Sequence, residues 1–193
     1  RQNALPSIVL TGLPGEVVKE SRDRIRACLS ALGHEVPSSR MVIHLSPAME
    51  KKQGSQLDVA IAVAILVAEQ QLHPCTALNK VGFIGELAMD GRIRGVSGAL
   101  ALAEALHLSE GIDTIVVPKE NAEEVSLLRS SKIRIAQNLL EIKLWLERGD
   151  TLAKGMPFVS PSLPEAEEPL LDGVRGQALA KRALQIALAG RHH

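Results

Sequence analysis

Aromatic side chains are nearly absent from this chain: two Phe, one Trp and no Tyr in 193 residues. That scarcity excludes an aromatic platform on which nucleic-acid bases would stack. It also leaves Ala, Val, Ile and Leu to build the core. An excess of one charge sign is absent too, with 22 basic residues against 22 acidic. No global field draws the chain to nucleic acid or to a membrane, so only a local patch would serve. Cysteine is limited to Cys28 and Cys75, too few for a disulfide framework. Cys28 falls on a helical apolar stripe and reads as a small buried hydrophobe. No signal peptide is visible. The longest apolar run, Val59 to Ala68, is well below the roughly 18–20 residues that span a bilayer. The expectation is a cytoplasmic protein with no membrane partner.

What the chain does have is alternation. Ser7 to Thr11 reads as a strand, closed by the Gly12-Leu13-Pro14-Gly15 turn. An open edge there calls for another strand, so a preceding strand or hairpin is expected. Glu16 to Leu32 is helical, with Val18, Ile25, Cys28, Leu29 and Leu32 on one face and Gly33 at C′. Met41 to Leu45 is a second strand, stopped by Pro47. Ala60 to Ala68 is apolar all round, which marks a buried central helix. Lys80 to Leu87 reads as one strand, turned at Asp90-Gly91 into Arg92-Ile93-Arg94. Gly98 to Leu108 is helical, Thr114 to Val117 a strand, and Asn121 an N-cap for a helix to Leu128. Ile133 to Ile135 and an Asn138-capped helix to Glu147 follow.

This order predicts a mixed α/β domain of two layers over residues 1–149. Residues 150–172 are broken by Pro157, Pro161, Pro164 and Pro169 and acidified by Glu165, Glu167 and Glu168, which reads as a linker. Residues 173–193 contain one more helix, Gln177 to Ala189, which cannot bury its face alone. A second, truncated domain is expected to begin there.

Three features compete for chemistry. Ser55 sits in a Gly-Ser turn before the apolar helix, where a nucleophile would need a His or Lys base. The plainer reading is that Ser55 or Asp58 caps that helix. Lys51 and Lys52 form one basic pair and Arg92 and Arg94 another. The alternating arginines point to one face of a strand, and together with the Lys51 turn they would make a phosphate-sized patch. Otherwise they are solvated surface. The histidines, at His34, His44, His73, His107, His192 and His193, show no metal-ligand spacing, so no metal is expected. No Walker A loop, dinucleotide fingerprint or H-E-x-x-H motif occurs.

Several blocks in order resemble a known family. "GLPGEVVKESRDRIRACLSALGHEVPSSRMVIHLSPA", "KKQGSQLDVAIAVAIL", "GFIGELAMDGRIRGVSGAL" and "IVVPKENAEEVSLL" are similar to the N-terminal region of magnesium-chelatase-like AAA+ ATPases of the ComM (YifB) type. "LDGVRGQALAKRALQIALAGRHH" resembles the opening of that family's ATPase module. The resemblance implies a Lon-protease-like fold related to ribosomal protein S5 domain 2, found also after the ATPase core of the recombination protein RadA. It implies a ring motor, a hexamer, using ATP and Mg2+ in the full-length protein and linked to DNA uptake and branch migration. This chain ends before the Walker A loop, so no cofactor is expected in it. Val174, Arg175 and Gly176 fall where such modules begin to line the adenine pocket.

The same resemblance bears on Ser55. Lon proteases place their serine in a Gly-Pro-Ser-Ala-Gly turn. Anchoring that turn's last residue on Asp58 puts Gln56 at the nucleophile. Matching the Gly-Gly-Leu-Lys segment through Gly98 puts Leu100 at the lysine. Both positions lack the needed group, so a non-catalytic module is expected, with DNA as a candidate partner. The alternatives are a purely structural oligomerisation or protein-recruitment domain, a porphyrin metal-chelatase motor subunit, and a cryptic serine hydrolase.

Overall fold

The first supersecondary unit follows from a simple constraint: parallel strands need a crossover. Strand β1 (Ser7–Thr11) and strand β2 (Arg40–His44) pair in parallel, from Ser7 opposite Arg40 to Thr11 opposite His44. Helix α1 (Glu16–Ala31) makes the crossover. It buries Val18, Ile25, Cys28 and Leu29, and also Ser21. Gly33 adopts φ +75° and its N–H bonds to Ser30 O at 3.1 Å, closing the helix as its position predicts. The computed structural model describes residues 7–35, 40–52, 54–157 and 174–191. The expected preceding strand lies outside these residues.

Helix α2 (Asp58–Ala68) is the centre of the larger core cluster. Val59, Ile61, Ala62, Val63, Ile65 and Leu66 are all buried. Full burial of a side chain such as Leu66 contributes about 1.5–3 kcal/mol, so this helix is held by packing rather than by caps. The expected cap is absent: Leu57 holds the N-cap position, and neither Ser55 nor Asp58 caps through its side chain.

The strand expected over Lys80 to Leu87 is two strands. Strand β3 (Val81–Phe83) joins a four-stranded sheet, while β4 (Glu86–Leu87) forms a hairpin with β5 (Ile93–Arg94). Gly85 divides them. Its φ is +149°, and a Cβ there would lie 2.6 Å from Ile93 Cγ2. Only glycine lets the chain turn out of one sheet and into the other.

The sheet runs β3-β6-β7-β8, with β6 (Thr114–Pro118), β7 (Ile133–Ala136) and β8 (Ala153–Lys154). The first three are parallel and β8 is antiparallel to β7. Helix α3 (Ala99–Leu108) connects toward β6, α4 (Ala122–Ser126) toward β7, and α5 (Leu139–Arg148) toward β8. Both faces are covered. Ile115, Val117, Ile133 and Ile135 cluster with Ala99, Ala103 and Val125 of α3 and α4. Val116 and Ala136 join the cluster of α2 and α5. The two-layer expectation is thus corrected: this parallel sheet has helices on both faces, as continuous apolar runs like that of β6 require.

Residues 150–157 do not open a linker. Leu152 is buried, and Ala153 and Lys154 pair with Ile135 and Arg134. The rest of the expected linker, from residue 158 to 172, lies outside the described residues. By chain contacts there are two compact units, Arg1–Phe158 and Val159–His193. In the second, helix α6 (Ala178–Gly190) has no buried residue and exposes Leu179, Leu184, Ile186 and Leu188. His192 and His193 lie outside the described residues. Among the described residues no helix is long and apolar enough to cross a membrane.

Candidate functional site

The Ser55 turn precedes α2 and packs against the β3–β4 bend. Gly85 N–H donates to Gln56 O at 3.1 Å, and Val59 N–H donates to Gly85 O at 3.4 Å. Gln56 therefore lies against Gly85, where the dyad alignment puts the nucleophile, and it carries a carboxamide. The Ser55 hydroxyl donates to the Glu86 carboxylate. A carboxylate is a weaker base for a serine hydroxyl than the His or Lys that usually activates one. The neighbouring lysines point elsewhere. Lys52 N–H bonds Leu13 O at 3.1 Å, Gly15 N–H bonds Lys52 O at 2.8 Å, and the Lys52 amine donates to Pro47 O. Lys51 lies near Glu16, whose carboxyl is held below its usual range mainly by Lys19 and slightly by Lys51.

Asp58 is fully buried and serves as a latch. Its Oδ2 accepts from Arg24 Nε at 3.0 Å and from Leu87 N–H at 3.2 Å, and its Oδ1 accepts from Arg24 Nη2 at 3.3 Å. Arg24 also donates to Ser21 Oγ at 2.9 Å. Burial pushes the Asp58 carboxyl upward, against the opposing pull of Ser21, Arg24 and the Leu87 N–H. This network joins α1, α2 and β4. Sequence reasoning passed over Arg24. One signal was available: Ser21 is a polar residue on the Val18–Ile25–Cys28 stripe, and a polar residue on a buried stripe calls for a partner.

The loop that leads into α3, where Leu100 lies, is fixed in the same way. Glu120 Oε2 accepts from Gly95 N–H at 2.7 Å. Asn121 Oδ1 accepts from Val96 N–H at 2.9 Å while its Nδ2 donates to Val96 O at 2.9 Å. Glu124 Oε1 accepts from Leu100 N–H at 3.1 Å, taking a donor at the N-terminus of α3. Asn121 thus braces a neighbouring loop and makes no cap bond to α4, which corrects the sequence expectation. Asn138 does cap: its Oδ1 accepts from Glu141 N–H at 2.9 Å. Leu100 itself offers only an apolar side chain.

The β4–β5 hairpin shapes the second candidate. Arg92 and Arg94 are both exposed and line one groove of about 270 Å³ with Ile93, Lys119, Glu120, Gln137 and Asn138. Alternation does place both arginines on one face, as expected. The groove does not include Lys51 or Lys52, so the four cations are not shown as one patch. Arg92 Nε is tied to Asp90 Oδ2 at 2.7 Å, and the Arg92 N–H groups hold Asp90 below the usual carboxylate range. Arg94 makes no ion pair among the described residues, and Lys119 makes only a long 3.4 Å bond to Gln137 Oε1. Lys119 was missed by sequence reasoning because no local pattern marks a lysine after a strand-ending proline.

The histidines are dispersed. His34 meets Gln71, His44 meets Thr11 and His107 meets Ser130. Among the described residues no three His, Cys, Asp or Glu side chains converge to hold a metal. Cys28 is buried, and burial pushes its thiol up to about 11. Val174, Arg175 and Gly176 are exposed ahead of α6.

Comparison with known proteins gives the chain its family. A family model described as subunit ChlI of Mg-chelatase matches residues 1–121. The uncharacterised protein YifB of Escherichia coli is 36% identical over 190 residues, covering 98% of this chain and 36% of the relative. Competence protein ComM of Haemophilus influenzae is 35% identical over 194 residues, covering 99% of this chain and 38% of the relative. The chain thus spans little more than a third of the length of these curated relatives. The Lon protease of the Aster yellows witches'-broom phytoplasma is 33% identical over 125 residues, covering 61% of this chain and 15% of that protein. The chain belongs to the Mg-chelatase ChlI-like family, of the ComM and YifB type.

Proposed function

We propose that this chain is the non-catalytic N-terminal module of a ring-forming AAA+ ATPase that acts on DNA in recombination. In this reading residues 7–157 keep a scaffold of the Lon and ribosomal protein S5 domain 2 kind and have lost its protease chemistry. One observation carries it: the Ser55 hydroxyl is engaged by the Glu86 carboxylate rather than by a His or Lys, and the two positions that the resemblance aligns with the Lon dyad hold Gln56 and Leu100. The 33% identity to a Lon protease supports the scaffold, and the likeness to a competence protein supports the DNA client.

ATP and Mg2+ would belong to the full-length, hexameric, cytoplasmic protein. The residues here do not make an ATP site. No Gly-rich phosphate loop with its Lys occurs in the sequence, and Val174, Arg175 and Gly176 are solvent-exposed. At most these three form one edge of the adenine pocket.

A second reading, an assembly or protein-recruitment domain without nucleic-acid contact, draws on a different surface. Met49 is 92% exposed and Leu13 54% exposed, and the Lys52 N–H bond to Leu13 O brings their two turns together. A contiguous exposed apolar patch would mark a protein contact there. The test is ATP hydrolysis by the full-length protein with no DNA, with single-stranded DNA and with a branched junction. Stimulation by DNA is expected. Robust hydrolysis indifferent to every DNA would favour the second reading.

A further inference from the structure

We propose that Lys119, together with Arg92 and Arg94, forms a groove for the phosphodiester backbone of nucleic acid, and that Lys51 and Lys52 take no part. This rests on the DNA-acting reading above and assigns it to one place.

Three observations converge on the groove. First, topology builds it. β4 and β5 leave the main sheet at Gly85, and the Arg92–Asn138 bridge and the Ile93 N–H bond to Gln137 O at 2.8 Å hold the hairpin beside the end of β7. Lys119 follows directly on Pro118 at the end of β6, so two arginines and one lysine distant in sequence share one wall. Second, the cations are largely unengaged. Arg94 has no ion pair among the described residues, and Lys119 has one weak contact to a carboxamide. Only Arg92 is paired, through exposed Asp90. Third, the acid in the groove is already engaged by the backbone, since one Glu120 carboxylate oxygen accepts the Gly95 N–H at 2.7 Å.

The lining residues also define the ligand. Three cations stand against two carboxylates, Glu120 in the lining and Asp90 on Arg92, and the remaining positive charge suits an anion. Gln137 and Asn138 add polar side chains of the kind that commonly contact phosphate oxygens. No aromatic side chain lines the groove, so bases have no stacking partner there. Binding should therefore follow charge and backbone shape rather than sequence. The Lys52 amine, by contrast, is held on Pro47 O, and neither Lys51 nor Lys52 lines the groove.

The test uses the full-length protein and a labelled DNA duplex, with affinity measured by anisotropy across a salt series. For duplex DNA the log–log salt slope changes by about 0.9 per phosphate contact. Arg94→Gln with Lys119→Gln should weaken binding and flatten the slope by about 1.8, for two lost contacts. Lys51→Gln with Lys52→Gln should leave both unchanged. Equal weakening by the two pairs, or an unchanged slope in the first, would overturn the groove while leaving the DNA-acting reading intact. A wild-type protein that binds no DNA and whose ATPase ignores DNA would overturn both. Poly-glutamate of equal charge should compete poorly; competition as strong as unlabelled duplex would overturn the nucleic-acid assignment and give the groove to an acidic protein segment instead.

Discussion

The Ser55 turn and the Arg92–Lys119 groove reverse their apparent roles when their polar partners are counted. The turn has the look of an active site: a serine, an aspartate and two lysines before a buried helix. Yet Ser55 is bound to Glu86, Asp58 is locked to Arg24 and the Leu87 N–H, and Lys52 is held on Pro47 O. The groove looks like an ordinary charged hairpin. Its Arg94 nonetheless lacks an ion pair among the described residues, and Lys119 is barely engaged. Groups already satisfied inside the protein hold the fold. Groups left facing solvent are the ones able to take a ligand.

The sharpest way to break this contrast is at Asp58. Asp58→Ala strips the partner from a largely buried arginine, and such losses cost about 3 kcal/mol or more. Urea unfolding should show that loss; a change under about 1 kcal/mol would mean that the latch is not structural. Asn138→Ala should cost about 1 kcal/mol by removing the cap on Glu141 N–H. Ser55→Ala should cost a similar amount, about 1 kcal/mol, by removing the bond to Glu86, with the ATP hydrolysis rate of the full-length protein unchanged. At the other end, Arg94→Gln with Lys119→Gln should shift stability by no more than about 0.5 kcal/mol, as surface changes do. A large destabilisation there would show that the groove cations are structural after all.

How much of this was legible in the sequence depended on distance along the chain. β1, α1 with its Gly33 stop, the Asp90-Gly91 hairpin and the Asn138 cap all rest on residues a few positions apart, and each formed where the pattern put it. The break at Gly85 was hidden because its cause is Ile93, eight positions away across a hairpin. Leu152 and β8 were hidden inside a segment whose prolines lie further on. The second helical layer had a readable sign: Thr114 to Pro118 is nearly continuous apolar sequence, and a strand buried on one face alone would alternate. Asn121 was read as a cap from local sequence, whereas its partner is Val96, on a loop brought near by α3. At the candidate site, Arg92 and Arg94 were readable because alternation is local. Lys119, Glu86 and Arg24 were not, since each acquires its role from a neighbour that only the folded chain supplies.

The most direct test of a Lon-like scaffold without Lon chemistry is labelling of the folded protein with a fluorophosphonate, which reacts with activated serines. No labelling is expected, because Glu86 is a weak base for Ser55 and neither Gln56 nor Leu100 supplies a nucleophile or base. Stoichiometric labelling that Ser55→Ala abolishes would contradict it and place a working nucleophile in the turn.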